Sequence, residues 1–273
     1  MSELRLPLAQ IPQGPVTVPP SVRELTAGRK LEAVWVNGLG GLTFRDDGPG
    51  DGARYVKWVT AGTPEIDLAA EAARLRWALE HGAIAPMVLD QGSDASGSWL
   101  ITAALAGESA VSPRWIAEPV TAARAIGAGL RQLHDTLPVA ACPYRWDLAT
   151  RAAQFEHRIR TGDGPADWAP AYRGLSIARV REILRDPPPV TNAVVCHGDP
   201  CAPNTLISSE GSFAAHVDLG DLGVGDPWAD LAVAAWSTEW NYGPGFEQHV
   251  YEGYGCEADP ERIAFYRLLW EVS

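Results

Sequence analysis

Within "VVCHGDPCAPNTLI", His197, Gly198 and Asp199 are followed after four residues by Asn204, the H-x-D-x-x-x-x-N spacing of a phosphoryl-transfer loop. In that pattern Asp199 accepts the proton of an attacking hydroxyl and Asn204 holds a magnesium ion. Fourteen residues further on, "HVDLG" closes an apolar strand with Asp218 and Gly220, a D-x-G arrangement that suits a second metal-binding oxygen. Two hard oxygen ligands at neighbouring strand ends fit Mg²⁺, which keeps its other positions for phosphates and water. Taken alone, residues 197–204 also satisfy a plain Asp-Pro-Asn turn.

Two upstream charges are out of place for packing. Lys57 shares a strand face with Tyr55 and Val59, and Glu71 falls on the apolar stripe of the next helix. A lone buried charge is costly, so the two either pair with each other or reach solvent by snorkelling. Asp230, a turn into "DPWADLAVAAW", takes buried donors from the 197–199 backbone or else serves the helix N-terminus. His197 is expected to brace its loop. Cys196 and His197 point to opposite sides of a strand and cannot readily share a metal, so Cys196 and Cys201 are read as structural thiols. "VNGLGGLTF" offers Gly38, Gly40 and Gly41 between two strands, without the G-x-G-x-x-G pattern.

The elements that must hold these residues follow from the periodicity. Residues 31–36, 41–45, 54–59, 85–90 and 98–105 are short and β-prone, a sheet of about five strands interrupted by one helix. That helix is expected to start at Thr63 and Pro64 and to leave at Gly82, with Leu68, Ala72, Leu75 and Leu79 on one face. Helical patterns then dominate at 113–135, 148–161, 176–186, 227–241 and 260–270, with a return to strands between 193 and 218. The fold class is α+β. The expected division is an extended, proline-rich arm over 1–20, a β-rich unit over 21–106 and a larger helical unit over 107–273.

The chain has 273 residues, a net charge of −12 and 46% hydrophobic content. The acidity argues against nucleic-acid partners, which call for concentrated Lys and Arg, and favours a cationic one. No run approaches the roughly 18 apolar residues of a membrane span, and the start does not resemble a signal sequence. The expected location is the cytoplasm. The four cysteines show no zinc spacing.

"RYVKWV", "LAAEAARLRWALEHGA", "SWLITAALAGE", "LRQLHD", "VVCHGDPCAPNTLI", "HVDLGDLGVGDPWADLAVA" and "RIAFYRLL" run in the order found in the aminoglycoside phosphotransferases, and the chain resembles the branch acting on 3'- and 3''-hydroxyls. The resemblance implies a two-lobed, protein-kinase-like fold and transfer of the γ-phosphate of ATP, or of GTP, to a cationic aminoglycoside with Mg²⁺. Under it Lys57 contacts the α- and β-phosphates while pairing with Glu71. Asp199 is the base, Asn204 and Asp218 hold magnesium, and adenine meets the Ala103 carbonyl and the Leu105 amide. Candidate acceptor contacts are Glu239, Glu271, Asp163 and Asp167. The sequence departs from the family at Asp221, Pro227, Trp236, Trp240 and Trp270, in the region expected to meet the acceptor. Alternatives are a same-fold kinase of another hydroxylated metabolite, a non-catalytic nucleotide-binding protein and a Cys/His metal protein.

Overall fold

The computed structural model describes residues 9–12, 14–48, 52–190 and 192–273. Contacts divide the chain into two compact units, Met1–Leu79 with Ala85–Leu105, and Glu80–Ile84 with Ala106–Ser273.

In the first unit β1 (Ala9–Gln10), α1 (Pro20–Leu25), β2 (Leu31–Asn37), β3 (Leu42–Asp46), β4 (Arg54–Thr60), α2 (Leu68–Glu80), β5 (Val88–Ser93) and β6 (Gly97–Ala103) follow in order. The strands form one sheet, β1-β2-β3-β4-β6-β5, with antiparallel neighbours. Alternation along β3 and β4 sends Phe44 and Val56 inward, where they meet Val22 of α1 and Ile101 of β6. Part of the expected arm, residues 1–8 and 13, lies outside the described residues. Its remainder is corrected: Ala9–Gln10 pairs with β2, and Pro20 opens α1 at the position where a missing amide costs nothing.

The helix start is also corrected. Asp67 Oδ1 accepts from the Ala70 amide at 2.9 Å, so α2 begins at Leu68, and Glu65 upstream has φ 65°, outside helical geometry. Thr63 Oγ1 instead closes a turn on the Thr60 carbonyl at 2.9 Å. The exit matches expectation, with Gly82 at φ 94°.

The second unit comprises β7 (Glu108–Ser109), α3 (Pro113–Ala117), α4 (Pro119–Thr136), α5 (Leu148–Thr161), α6 (Ile177–Leu184), β8 (Val194–Cys196), β9 (Thr205–Ile207), β10 (Phe213–His216), β11 (Gly223–Gly225), α7 (Trp228–Tyr242), α8 (Glu247–Tyr254) and α9 (Pro260–Val272). The single helix expected over 113–135 is broken at Glu118, because Pro119 suits a first helical position and not a helix interior. One core joins α4 and α8 to α7 through Ile126, Leu130, Val250 and Leu231; another joins α5, α6 and α9 through Phe155, Val180 and Leu269. Two short antiparallel pairs, β9 with β10 and β8 with β11, carry the loops of interest. Among the described residues no helix is long and apolar enough to cross a membrane.

Candidate active site

In the first unit β4 is an inner strand, and its register places Lys57 opposite Thr43 on one side and Leu100 on the other. One turn into α2, Glu71 points at the sheet, and Lys57 Nζ donates to Glu71 Oε1 at 2.6 Å. The carboxylate is nearly covered at 7% exposure and the ammonium is 24% exposed, so the pair spares Glu71 an isolated burial while Lys57 keeps access to solvent. Ala103 ends β6 with its amide bonded to the Met87 carbonyl, and Leu105 is the last residue of this unit. The glycine-rich turn is held by Asn37, whose Oδ1 accepts from the Leu39 and Gly41 amides at 3.0 and 2.7 Å.

In the second unit the chain leaves β8 at Cys196, forms the 197–204 loop, runs through β9 and β10, and returns as β11 beside β8. The β9–β10 ladder ends at Thr205 opposite His216, and the Val217 amide continues it by donating to the Asn204 carbonyl at 2.9 Å. Asn204 and Asp218 therefore emerge side by side from neighbouring strand ends. Asn204 Nδ2 donates to the Asp199 main-chain oxygen at 2.9 Å and to Asp199 Oδ2 at 3.0 Å. With the amide nitrogen so engaged, Asn204 Oδ1 is the atom left to serve as a hard oxygen donor. Asp218 has φ 64°, a strained conformation for a residue with a side chain. Gly198 has φ 91°, and a Cβ there would lie 2.3 Å from the Asp221 carbonyl oxygen. Only glycine fits that position. Asn204 and Asp218 offer oxygen ligands of the kind Mg²⁺ takes, and the residues fit that ion.

The loop is tied down by Asp230 of α7. Its Oδ2 accepts from the His197 amide at 2.6 Å and its Oδ1 from the Gly198 amide at 3.1 Å, and His134 Nε2 lies 3.0 Å from Oδ2. Burial would raise the Asp230 pKa, but the His134 hydrogen bond and the charges and amide around it outweigh burial and hold it below the usual value. Of the two roles open for Asp230, the structure therefore gives it the loop. The helix start is served by Asp226, whose Oδ1 accepts from the Trp228 amide at 2.9 Å. His134, with Tyr254 Oη 3.0 Å from its Nδ1, was not read from the sequence as part of this network. His134, Asp230 and Cys196 approach one another closely enough to suggest a metal cluster. Burial, however, pushes the Cys196 thiol well above its ordinary pKa, and the thiol donates to the Asp226 carbonyl at 3.3 Å. Asp230 already has its donors, so the cluster works as a brace.

Residues 34–266 match the model of the phosphotransferase enzyme family. The chain is 33% identical over 218 residues to an aminoglycoside 3'-phosphotransferase of Streptomyces fradiae, covering 76% of this chain and 80% of that one. This chain belongs to the phosphotransferase enzyme family. It is also 32% identical to the streptomycin 3''-kinase of Streptomyces griseus, over 94% of this chain and 96% of that one. The structure of the Streptomyces rimosus aminoglycoside phosphotransferase APH(3'')-Id in complex with ADP and streptomycin superposes with a TM-score of 0.72 at 27% identity, covering 92% of this chain and 97% of that one. The fold is thus α+β and kinase-like.

In this member of the phosphotransferase family two of the acidic residues expected to meet an acceptor, Asp163 and Asp167, lie together at the Gly164 amide. Glu271 is 8% exposed, and its carboxylate accepts from the Ala169 amide in the segment before α6. Asp167 closes a turn with Gly164, whose amide donates to Asp167 Oδ2 at 3.0 Å. Asp163 is paired with Arg158. Glu239 is exposed on the last turns of α7. Partial burial and then the neighbouring Glu247 carboxylate raise its pKa.

Proposed function

We propose that this chain transfers the γ-phosphoryl group of ATP to a hydroxyl of an aminoglycoside, in the cytoplasm and with Mg²⁺. The observation that carries the reading is the Asn204 amide bridging the Asp199 carboxylate beside Asp218. Asp199 takes the hydroxyl proton as the acceptor oxygen bonds to the γ-phosphorus, while the bond from that phosphorus to the β–γ bridging oxygen breaks and ADP leaves. The Asn204 contact fixes the carboxylate before the acceptor arrives, so little reorganisation is needed during transfer. Lys57, oriented by Glu71, balances phosphate charge, and Asn204 and Asp218 hold the metal. Magnesium, when bound, neutralises charge on the phosphate oxygens. Ala103 and Leu105 supply main-chain contacts to the base of the nucleotide.

The test is ADP release by the purified chain with Mg-ATP or Mg-GTP and a panel of aminoglycosides, amino alcohols and sugars. Acceptor-dependent turnover with an aminoglycoside is expected, and Asp199→Ala should lower it by on the order of 10²-fold or more while nucleotide binding persists. Turnover confined to the non-aminoglycoside acceptors would replace this reading with that of a metabolite kinase.

A further inference from the structure

Helix α7 presents two adjoining faces. On one, Asp230 and, two turns later, Ser237 hold the catalytic loop, with Ser237 Oγ accepting from the Ala202 amide at 2.9 Å. Beside Ser237 around the helix stand Trp236 and Trp240, and α9 brings Trp270 against both. Their ring centroids are 4.8 Å (236–240), 6.0 Å (236–270) and 5.5 Å (240–270) apart. Tyr172 meets Trp236 edge-on at 6.2 Å. The Arg267 guanidinium lies 5.6 Å from the Trp236 centroid, so this group of rings already holds one cation within the protein.

Packing of α7 against α9 does not account for the outermost ring. Trp240 is 46% exposed, whereas Leu231, Ala232, Val233, Ala234 and Ala235 earlier on the same helix are all at 1% or less. An indole left half in water forgoes much of what its apolar area would gain on burial. It stands one turn from Ser237, the residue through which α7 holds Ala202 of the loop carrying Asp199. Glu239 lies next to it in the chain, and Glu247 next to Glu239 is paired with Arg267. The neighbourhood thus combines an open aromatic face with surplus negative charge, while Glu271 and Asp167 are committed elsewhere.

We propose that the open face of Trp240, backed by Trp236 and Trp270, is the platform on which one amino- or guanidino-substituted ring of the acceptor stacks, with Glu239 supplying the counter-charge. The saturated C–H face of such a ring covers the indole, and its cationic substituent is drawn to the π-face and the carboxylate. This rests on the aminoglycoside phosphotransferase reading and specifies how that acceptor is recognised.

The experiment is calorimetric titration of streptomycin and gentamicin into the nucleotide-free chain, paired with steady-state kinetics, for the wild type, Trp240→Ala, Trp240→Leu, Trp240→Phe and Glu239→Gln. Trp240→Ala and Trp240→Leu are expected to weaken acceptor Kd and raise acceptor KM by about 5- to 30-fold, with the KM for ATP within about threefold of wild type. Trp240→Phe should recover most of the loss, and Glu239→Gln should weaken binding more at low salt than at high. Equal binding by the Leu and Phe variants, or an acceptor Kd in Trp240→Ala within about twofold of wild type, overturns the platform and leaves the phosphotransferase reading standing if the wild type turns over. A wild type that neither binds nor phosphorylates any aminoglycoside overturns both.

Discussion

Asn204 couples the two functions assigned to its loop, since one end of its amide holds Asp199 and the other is offered to a cation. Asn204→Ala is therefore expected to raise the Mg²⁺ concentration needed for half-maximal turnover and to lower the maximal rate at saturating Mg²⁺, which a metal titration of activity separates. Gly198→Ala should be more severe than its size suggests, because φ 91° and the Asp221 carbonyl 2.3 Å from the new Cβ both oppose it. A stability loss of about 1–3 kcal/mol, with turnover falling further because Asp199 is the next residue, is the expected result of denaturant titration and kinetics. Asp199 and Asn204 were legible in the sequence from the spacing within their loop, and Asp218 from the D-x-G that closes an apolar strand. Lys57 and Glu71 were legible because each violates the burial pattern of its own element. His134 was not: its partner Asp230 is 96 residues away, and nothing local distinguishes it from any histidine on a buried helix face. The surroundings of Glu271 were not legible either, because its direction is set by how α9 packs, with Trp270 turned toward the aromatic group and the carboxylate toward Ala169.

At the scale of elements, the long strands and amphipathic helices could be read directly, whereas pieces that borrow their stability from neighbours could not. Helix α8 is eight residues long, too short to be stable without a partner. It exists through its crossing with α4, where two glycines let the backbones touch. A Cβ on Gly127 would lie 2.0 Å from the Val250 carbonyl oxygen, and one on Gly253 would lie 2.2 Å from that of Arg124. Gly127→Ala and Gly253→Ala each force the same two helices apart, so each is expected to cost about 1–3 kcal/mol and the double variant less than the sum, measurable by urea unfolding. The crossing also carries Tyr254, the partner of His134, toward the network that holds the 197–204 loop. Turnover should therefore fall in these variants under conditions where the chain is still folded. Strand β11 was missed for a similar reason: three residues, two of them glycine, become a strand only because β8 lies beside them.

For the whole molecule, the histidine packed beneath the loop sets how stability answers to acid. His216 is 2% exposed, with its ring 5.0 Å from His197 and 4.6 Å from Phe213. Burial, and then the charge of His197, push its pKa down to about 3 from an ordinary 6.5. Between those values the unfolded chain binds a proton that the folded chain refuses, so acid favours unfolding. Stability should fall as pH drops below about 6.5, at up to about 1.4 kcal/mol per pH unit for this one group. The lowered Asp230 adds a loss of the same sign, but only as pH falls through its ordinary 3.8 and below. The net charge of −12 acts the other way, since protonating surface carboxylates relieves mutual repulsion. A wild-type profile alone would mix the two effects. The difference between wild type and His216→Asn isolates the histidine, because the surface charges are common to both. Urea unfolding at half-unit steps from pH 6.5 to 4.5 should show the wild type losing stability relative to the variant by about 1 kcal/mol or more per unit in the lower half of that range. Parallel profiles would mean that the imidazole is protonated within the fold and that its surroundings tolerate the charge.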